Sequence, residues 1–260
     1  MEASARLTPL RVFPTPDALG DALAGRVLDR IERARLAGKR FLLGCPTGRT
    51  PRPIYAAMAR RLAEHPRDLD HLIFVMMDEY LVQGASGFVY AGTNSCHEYV
   101  ERHISVLGGS VWFPDPEDPA AYDGQVADAG GIDFFILASG ASDGHVAFNP
   151  PGAPRASRTR VVRLSEETRR DNLETFPAFG TLENVPRYGV SVGVATIASA
   201  REAVMVVWGA SKRLTLSRIR AVDRYDPSWP ATVIHECTAR EIVCDAEAGQ
   251  DQIRQVTATS

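Results

Sequence analysis

Residues 40–51 read Arg40-Phe41-Leu42-Leu43-Gly44-Cys45-Pro46-Thr47-Gly48-Arg49-Thr50-Pro51, and this stretch decides how the chain is read. Residues 40–44 form a short apolar run of the length of a buried strand. Residues 44–51 join it to a helix over 51–65, where Ile54, Met58 and Leu62 recur at helical spacing. Thr50 suits the helix N-cap and Pro51 the first helical position, where its missing N–H would have no partner anyway. The free N–H groups of that helix start, with the Thr47 and Thr50 hydroxyls, form a place for an anion. The competing reading is a capped turn that holds no ligand.

The same alternation extends both ways. Residues 17–37 predict a helix, with Leu19, Leu23, Val27, Ile31 and Ala34 on one stripe and Gly38 ending it. Residues 72–76, 132–138, 190–194, 203–208 and 241–244 predict further strands. This pattern predicts an α/β fold: a doubly wound, mostly parallel sheet of Rossmann-like type with helices on both faces. Neither an internal repeat nor a low-complexity linker divides the chain, so residues 1–260 are read as one domain.

Composition narrows the function. Lys and Arg total 29 against 32 Asp and Glu, a formal charge of −3 without a basic run, which argues against nucleic acid as a partner. No apolar stretch reaches the roughly 18 residues of a membrane span. The first ten residues lack the basic and apolar regions of a secretory signal. Cys45, Cys96, Cys237 and Cys244 are scattered, which argues against a disulfide framework or a zinc site. A cytoplasmic location is the expectation.

In such folds ligands bind beyond the carboxyl ends of the strands. Two further strand ends carry reactive groups. After residues 72–76 come Met77-Asp78-Glu79-Tyr80, and in an extended segment only one of the two acids faces a cleft. An acid there serves as a general base if burial raises its pKa; the plain alternative is a cap or surface turn. After residues 132–138 comes a glycine-rich loop with Asp143-Gly144-His145, where the carboxylate is placed to orient or charge the imidazole.

Together these segments resemble the glucosamine-6-phosphate deaminase family, which shares its fold with 6-phosphogluconolactonases. The matching pieces are Pro46-Thr47-Gly48 with Thr50-Pro51, Met77-Asp78-Glu79-Tyr80, and Asp143-Gly144-His145-Val146-Ala147-Phe148-Asn149. Further pieces are Ser157-Arg158-Thr159-Arg160, Val192-Gly193-Val194 with Thr196, Gly209-Ala210-Ser211-Lys212 and the tail ending Val243-Cys244-Asp245. They are collinear over most of the chain, and the second and third favour the deaminase branch. The resemblance implies that Asp78 moves a proton between C1 and C2 of an amino sugar, so that an aldose becomes a ketose and ammonia leaves. It implies that His145 opens the ring with Asp143 tuning it, and that Thr47, Gly48, Thr50 and Lys212 line the sugar and its phosphate. Glu79 and Gly144, inside the matched motifs, are expected to touch substrate as well. No metal or organic cofactor is implied. The expected partners are a small sugar and, since the family includes monomers, dimers and hexamers, a homo-oligomeric copy.

Three departures fall within the expected site. Pro150 stands where the family usually has the glutamate that assists the histidine. Arg49 stands in a phosphate loop that is usually Thr-Gly-Gly-Thr. Glu174 aligns with the family's phosphate-binding arginine. Arg49 and Glu174 are therefore expected to re-specify the distal end of the substrate, toward an amino sugar with no phosphate or with a sulfonate. Ala153 and Val162 replace the serine and lysine of an allosteric site found in some members, which predicts no activation by N-acetylglucosamine 6-phosphate. A sugar-lactone hydrolase and a non-catalytic sugar-binding relic are the competing functions.

Overall fold

Strands buried on both faces carry the architecture: all five residues of Phe41–Cys45 and of Leu72–Met76 are buried. The computed structural model describes residues 8–251. In chain order the elements are β1 (Leu10–Phe13), α1 (Pro16–Leu36), β2 (Phe41–Cys45), α2 (Arg52–Glu64), β3 (Leu72–Met76), β4 (Asp78–Gln83) and β5 (Phe88–Tyr90). There follow α3 (Cys96–His103), β6 (Ser110–Trp112), α4 (Pro119–Asp128), β7 (Phe134–Ala138), β8 (Arg160–Arg163) and α5 (Glu166–Thr175). The last are β9 (Tyr188–Ser191), α6 (Val194–Ala198), β10 (Glu202–Val207), α7 (Arg213–Arg220) and β11 (Ala239–Asp245).

Seven strands pair in parallel in the order β1-β11-β10-β7-β2-β3-β6. Alternate residues of each strand feed opposite layers. Leu43, Phe74, Phe134 and Val204 pack under α1, α2 and α3. Leu42, Val75, Phe135 and Met205 pack under α4, α6 and α7. The β2–β7 contact is close: a Cβ on Gly44 would lie 2.3 Å from the Phe135 ring, so only glycine fits there. The chain leaves β2 toward β3 on one side and β7 toward β10 on the other, which makes β2/β7 the switch point where such sheets open a crevice.

One strand expectation is corrected. Residues 190–194 do not add to the parallel sheet. Instead β9 lies in a second, antiparallel sheet, in the order β5-β4-β9-β8, and Val194 begins α6. The pairing explains why: Ser191 lies opposite Asp78 on one side and Arg160 on the other. This small sheet and α5 close over Tyr80, Phe148, Val162 and Phe179 as a separate apolar cluster beside the crevice. All four cysteines are free and buried. Among the described residues no helix is long and apolar enough to cross a membrane.

Candidate active site

The segments that follow β2, β3, β7 and β10 converge on one cavity of about 280 Å³, with α5 forming its outer wall. That volume is at the low end for ligand sites and suits one small ligand. Its lining includes Thr47, Gly48, Arg49, Thr50, Asp78, His145, Glu174 and Lys212. Thr50 does not cap α2: the helix starts at Arg52 with no side-chain cap bond, which leaves the Thr50 hydroxyl free for the cavity. Only its carbonyl is engaged, accepting from Trp208 Nε1 at 2.9 Å.

The two acids of β4 part as their alternation requires. Asp78 faces the cavity and is 5 % exposed. Burial pushes its carboxyl up from 3.8 to about 7; the Cys96 thiol, donating at 3.5 Å, and His145 pull the other way, while Glu79 adds to the rise. Glu79 points to the opposite side and is fully buried. Its oxygens accept from the backbone N–H groups of Tyr80 at 2.6 Å, Cys96 at 3.0 Å and His97 at 2.8 Å, and one also meets His97 Nδ1. The expectation that Glu79 touches substrate is thereby corrected: it fastens the start of α3 to the small sheet.

The β7 loop holds a compact acid–imidazole pair. Asp143 Oδ1 lies 2.6 Å from His145 Nδ1 and also accepts the His145 backbone N–H at 3.1 Å. Asp143 Oδ2 accepts from the hydroxyls of Thr168 at 2.9 Å and Ser165 at 3.1 Å. Burial opposes ionisation of Asp143, yet the His145 and Thr168 hydrogen bonds hold its carboxyl well below the usual carboxylate range. With Asp143 ionised, Nδ1 carries the proton and Nε2 is left for substrate. Two glycines make the turn possible. A Cβ on Gly140 would lie 2.2 Å from His145 Nδ1, and Gly144, at φ +67°, packs its backbone against the Trp229 ring. Gly144 is thus not a lining residue, and its expected substrate contact is corrected to this packing role.

Lys212, in the turn after β10, donates to the Ser139 carbonyl. Burial pushes its ammonium down to about 8, with Asp171 countering. At the cavity mouth Arg49 Nη2 lies 3.4 Å from Glu174 Oε2, with side chains 50 % and 73 % exposed, so this pair is weak and movable. Pro150 lies outside the cavity, in a separate surface depression with Arg163 and Ser165.

Comparison with known proteins matches residues 14–243 to the family described as glucosamine-6-phosphate isomerases/6-phosphogluconolactonase. The chain belongs to this family. A glucosamine-6-phosphate deaminase of Shouchella clausii is 31 % identical over 242 residues, covering 89 % of this chain and 92 % of that protein. The solved structure of a monomeric glucosamine-6-phosphate deaminase superposes with a TM-score of 0.82 at 25 % identity, covering 93 % of this chain and 99 % of that one. A 6-phosphogluconolactonase from Shewanella baltica superposes at 0.68 and 16 % identity, covering 94 % of this chain and 100 % of that one, a likeness of fold.

For a member of this family the lining holds residues that strand-end reasoning missed. Asp171, Asn172 and Thr175 all come from α5. Asn172 is 9 % exposed and its Nδ2 has no protein partner among the described residues. Tyr80, Phe148, Phe176 and Trp208 supply the apolar walls. The signal for α5 lay in its spacing: Thr168, Asp171, Asn172 and Thr175 recur at three and four residues, a stripe of small polar side chains on one helix face. Asp143, His145 and Asp171 each bring one polar side-chain atom within 4.8 Å of the others.

Proposed function

We propose that the protein is a deaminating isomerase of an amino sugar, converting a 2-amino-2-deoxy aldose and water to a ketose and ammonia. The observation that carries this reading is the split between Asp78, which lines the cavity, and Asp143, which stands behind the His145 imidazole that lines it. Asp78 is raised to about 7 and Asp143 is held low beside His145. Environments that push two acids apart in this way suit a proton shuttle and an imidazole partner, respectively. In the reading, His145 Nε2 exchanges a proton with the ring oxygen as the C1–O bond opens, and Asp143 stabilises the charged imidazole. Asp78 then takes the C2 proton and returns it to C1. The resulting C2 imine adds water and releases ammonia. The shift from C2 to C1 is proton transfer alone, which a buried acid near neutral pKa performs well; ring opening breaks the C1–O bond, and hydration of the imine forms a C2–O bond as the C2–N bond breaks.

The distal end of the substrate is read by Arg49 and Lys212 against Asp171 and Glu174, two cations facing two anions. That balance disfavours a dianionic phosphate relative to a sulfonate or a free hydroxyl. The test is a panel of glucosamine derivatives bearing 6-phosphate, 6-sulfonate or 6-hydroxyl, assayed for ammonia and ketose. Ammonia from at least one supports the isomerase. Hydrolysis of a sugar lactone with no ammonia from any overturns it. A 6-phosphate preferred by more than about 100-fold, or 3 kcal/mol, overturns the altered distal recognition while leaving the isomerase standing.

A further inference from the structure

Asp171 is a carboxylate that the proton transfers above leave unused. It sits on α5, three residues beyond Thr168, and lines the cavity. Its Oδ2 accepts from the Ala141 N–H at 2.9 Å, the Ser142 N–H at 3.5 Å and the Ser142 hydroxyl at 3.1 Å, so it grips the loop that carries Asp143 and His145. One of its oxygens, an Asp143 oxygen and a His145 ring nitrogen lie within 4.8 Å of one another. Asp171 is also the foremost charge favouring protonated Lys212.

We infer that Asp171 is a positioning residue for the His145 acid, supplying from α5 the second negative charge that stabilises the protonated imidazole. This rests on the reading of His145 as the ring-opening acid. The groups facing His145 come from every side: Asp143 on its own loop, Asp171 and the Thr168 hydroxyl from α5, Asp78 from β4, and Lys212 through the Ser139 carbonyl. Asp143 and Asp171, each with an oxygen within 4.8 Å of a ring nitrogen, both favour the charged form of the imidazole when ionised. Lys212 opposes it, and Asp171 offsets Lys212 as well.

The alternative role for Asp171 is a loop clamp alone, and two variants separate the roles. Asp171→Asn keeps an oxygen for the Ala141 and Ser142 donors but removes the charge. Ser142→Ala removes one clamp bond and keeps the charge. NMR titration of His145 in the substrate-free protein is expected to show its midpoint falling by about one pH unit, or tenfold in proton affinity, in Asp171→Asn. In Ser142→Ala it should stay within roughly 0.2 unit. Asp171→Glu should restore much of the loss. An unmoved midpoint in folded Asp171→Asn overturns the inference, as does an equal fall in Ser142→Ala. Should Asp171→Asn fail to fold, Asp171→Ser carries the same test with the same outcomes. The titration needs no substrate. A panel without ammonia thus leaves the charge coupling intact, and an unmoved midpoint beside active turnover refutes this inference alone.

Discussion

Replacing Asp78 with Asn should stabilise the protein while destroying its chemistry. The carboxyl is buried against Cys96 and titrates near 7, whereas an exposed one titrates near 3.8. The folded protein therefore holds this proton more tightly than the unfolded chain. Wild-type stability declines as pH rises from about 4 to about 7, and is flat with respect to this group above that. The full difference corresponds to roughly 4 kcal/mol at 1.36 kcal/mol per pH unit. Asp78 faces an open cavity, where water and local relaxation absorb part of the penalty, so about 2 kcal/mol is expected at pH 8 and under about 1 kcal/mol at pH 4.5. Asn keeps the shape and an oxygen for the Cys96 thiol, and it never ionises. Thermal unfolding followed by circular dichroism should show Asp78→Asn melting roughly 4–8 °C above wild type at pH 8, and nearly level with it at pH 4.5. Turnover should fall by at least about 1,000-fold with little change in ligand affinity, since a proton carrier is lost. Wild-type kcat/KM should rise as pH climbs to about 7, where Asp78 ionises. Equal melting points at both pH values, or a less stable variant at pH 8, would refute the burial argument.

Further substitutions separate structural from chemical roles. Glu79→Gln puts an amide N–H₂ against the N–H groups of Cys96 and His97; urea denaturation should show a loss of about 2–4 kcal/mol with KM of the folded protein unchanged. Gly140→Ala pushes a methyl group into the Asp143–His145 pair, 2.2 Å from Nδ1, and should lower kcat by about 100-fold with a small effect on KM. Glu174→Gln removes an exposed negative charge at the cavity mouth. Stability should hold within about 0.5 kcal/mol, and KM for a 6-phosphorylated amino sugar should fall about fivefold, an effect that added salt erases.

The parallel sheet was legible because its strands are buried on both faces and read as unbroken apolar runs: Phe41–Cys45, Leu72–Met76, Phe134–Ala138. The small antiparallel sheet was not, because its strands are short and polar at their ends, as in Arg160–Arg163. Val190 reads the same whether its neighbours are parallel or antiparallel, and only the pairing with β4 and β8 decides. The site followed the same division. Thr47, Asp78, His145 and Lys212 follow strands, and the switch-point geometry carries them to one cavity. Asp78 and Glu79 were separable as a pair facing opposite ways, but not by which one faced inward. Beyond Glu174, the contribution of α5 escaped because the helix is inserted between β8 and β9. Its Glu166-Glu167-Thr168-Arg169-Arg170 start reads as a solvated surface, while the tertiary fold turns Asp171 and Asn172 onto the cavity. Glu174 was legible as a site residue, but not that its carboxylate is 73 % exposed and paired with Arg49, which softens its effect on a bound anion.

The central claim is that Asp78 carries a proton between neighbouring carbons of an amino sugar. Running the reaction in D₂O and following it by proton NMR tests this most directly. The account predicts stoichiometric ammonia and a ketose carrying deuterium at C1, since a carboxyl facing an open cavity exchanges its proton with solvent between taking it and returning it. Asp78→Asn should abolish both signals. Ammonia release that persists in Asp78→Asn, or lactone hydrolysis with neither ammonia nor deuterium incorporation in the wild type, would contradict it.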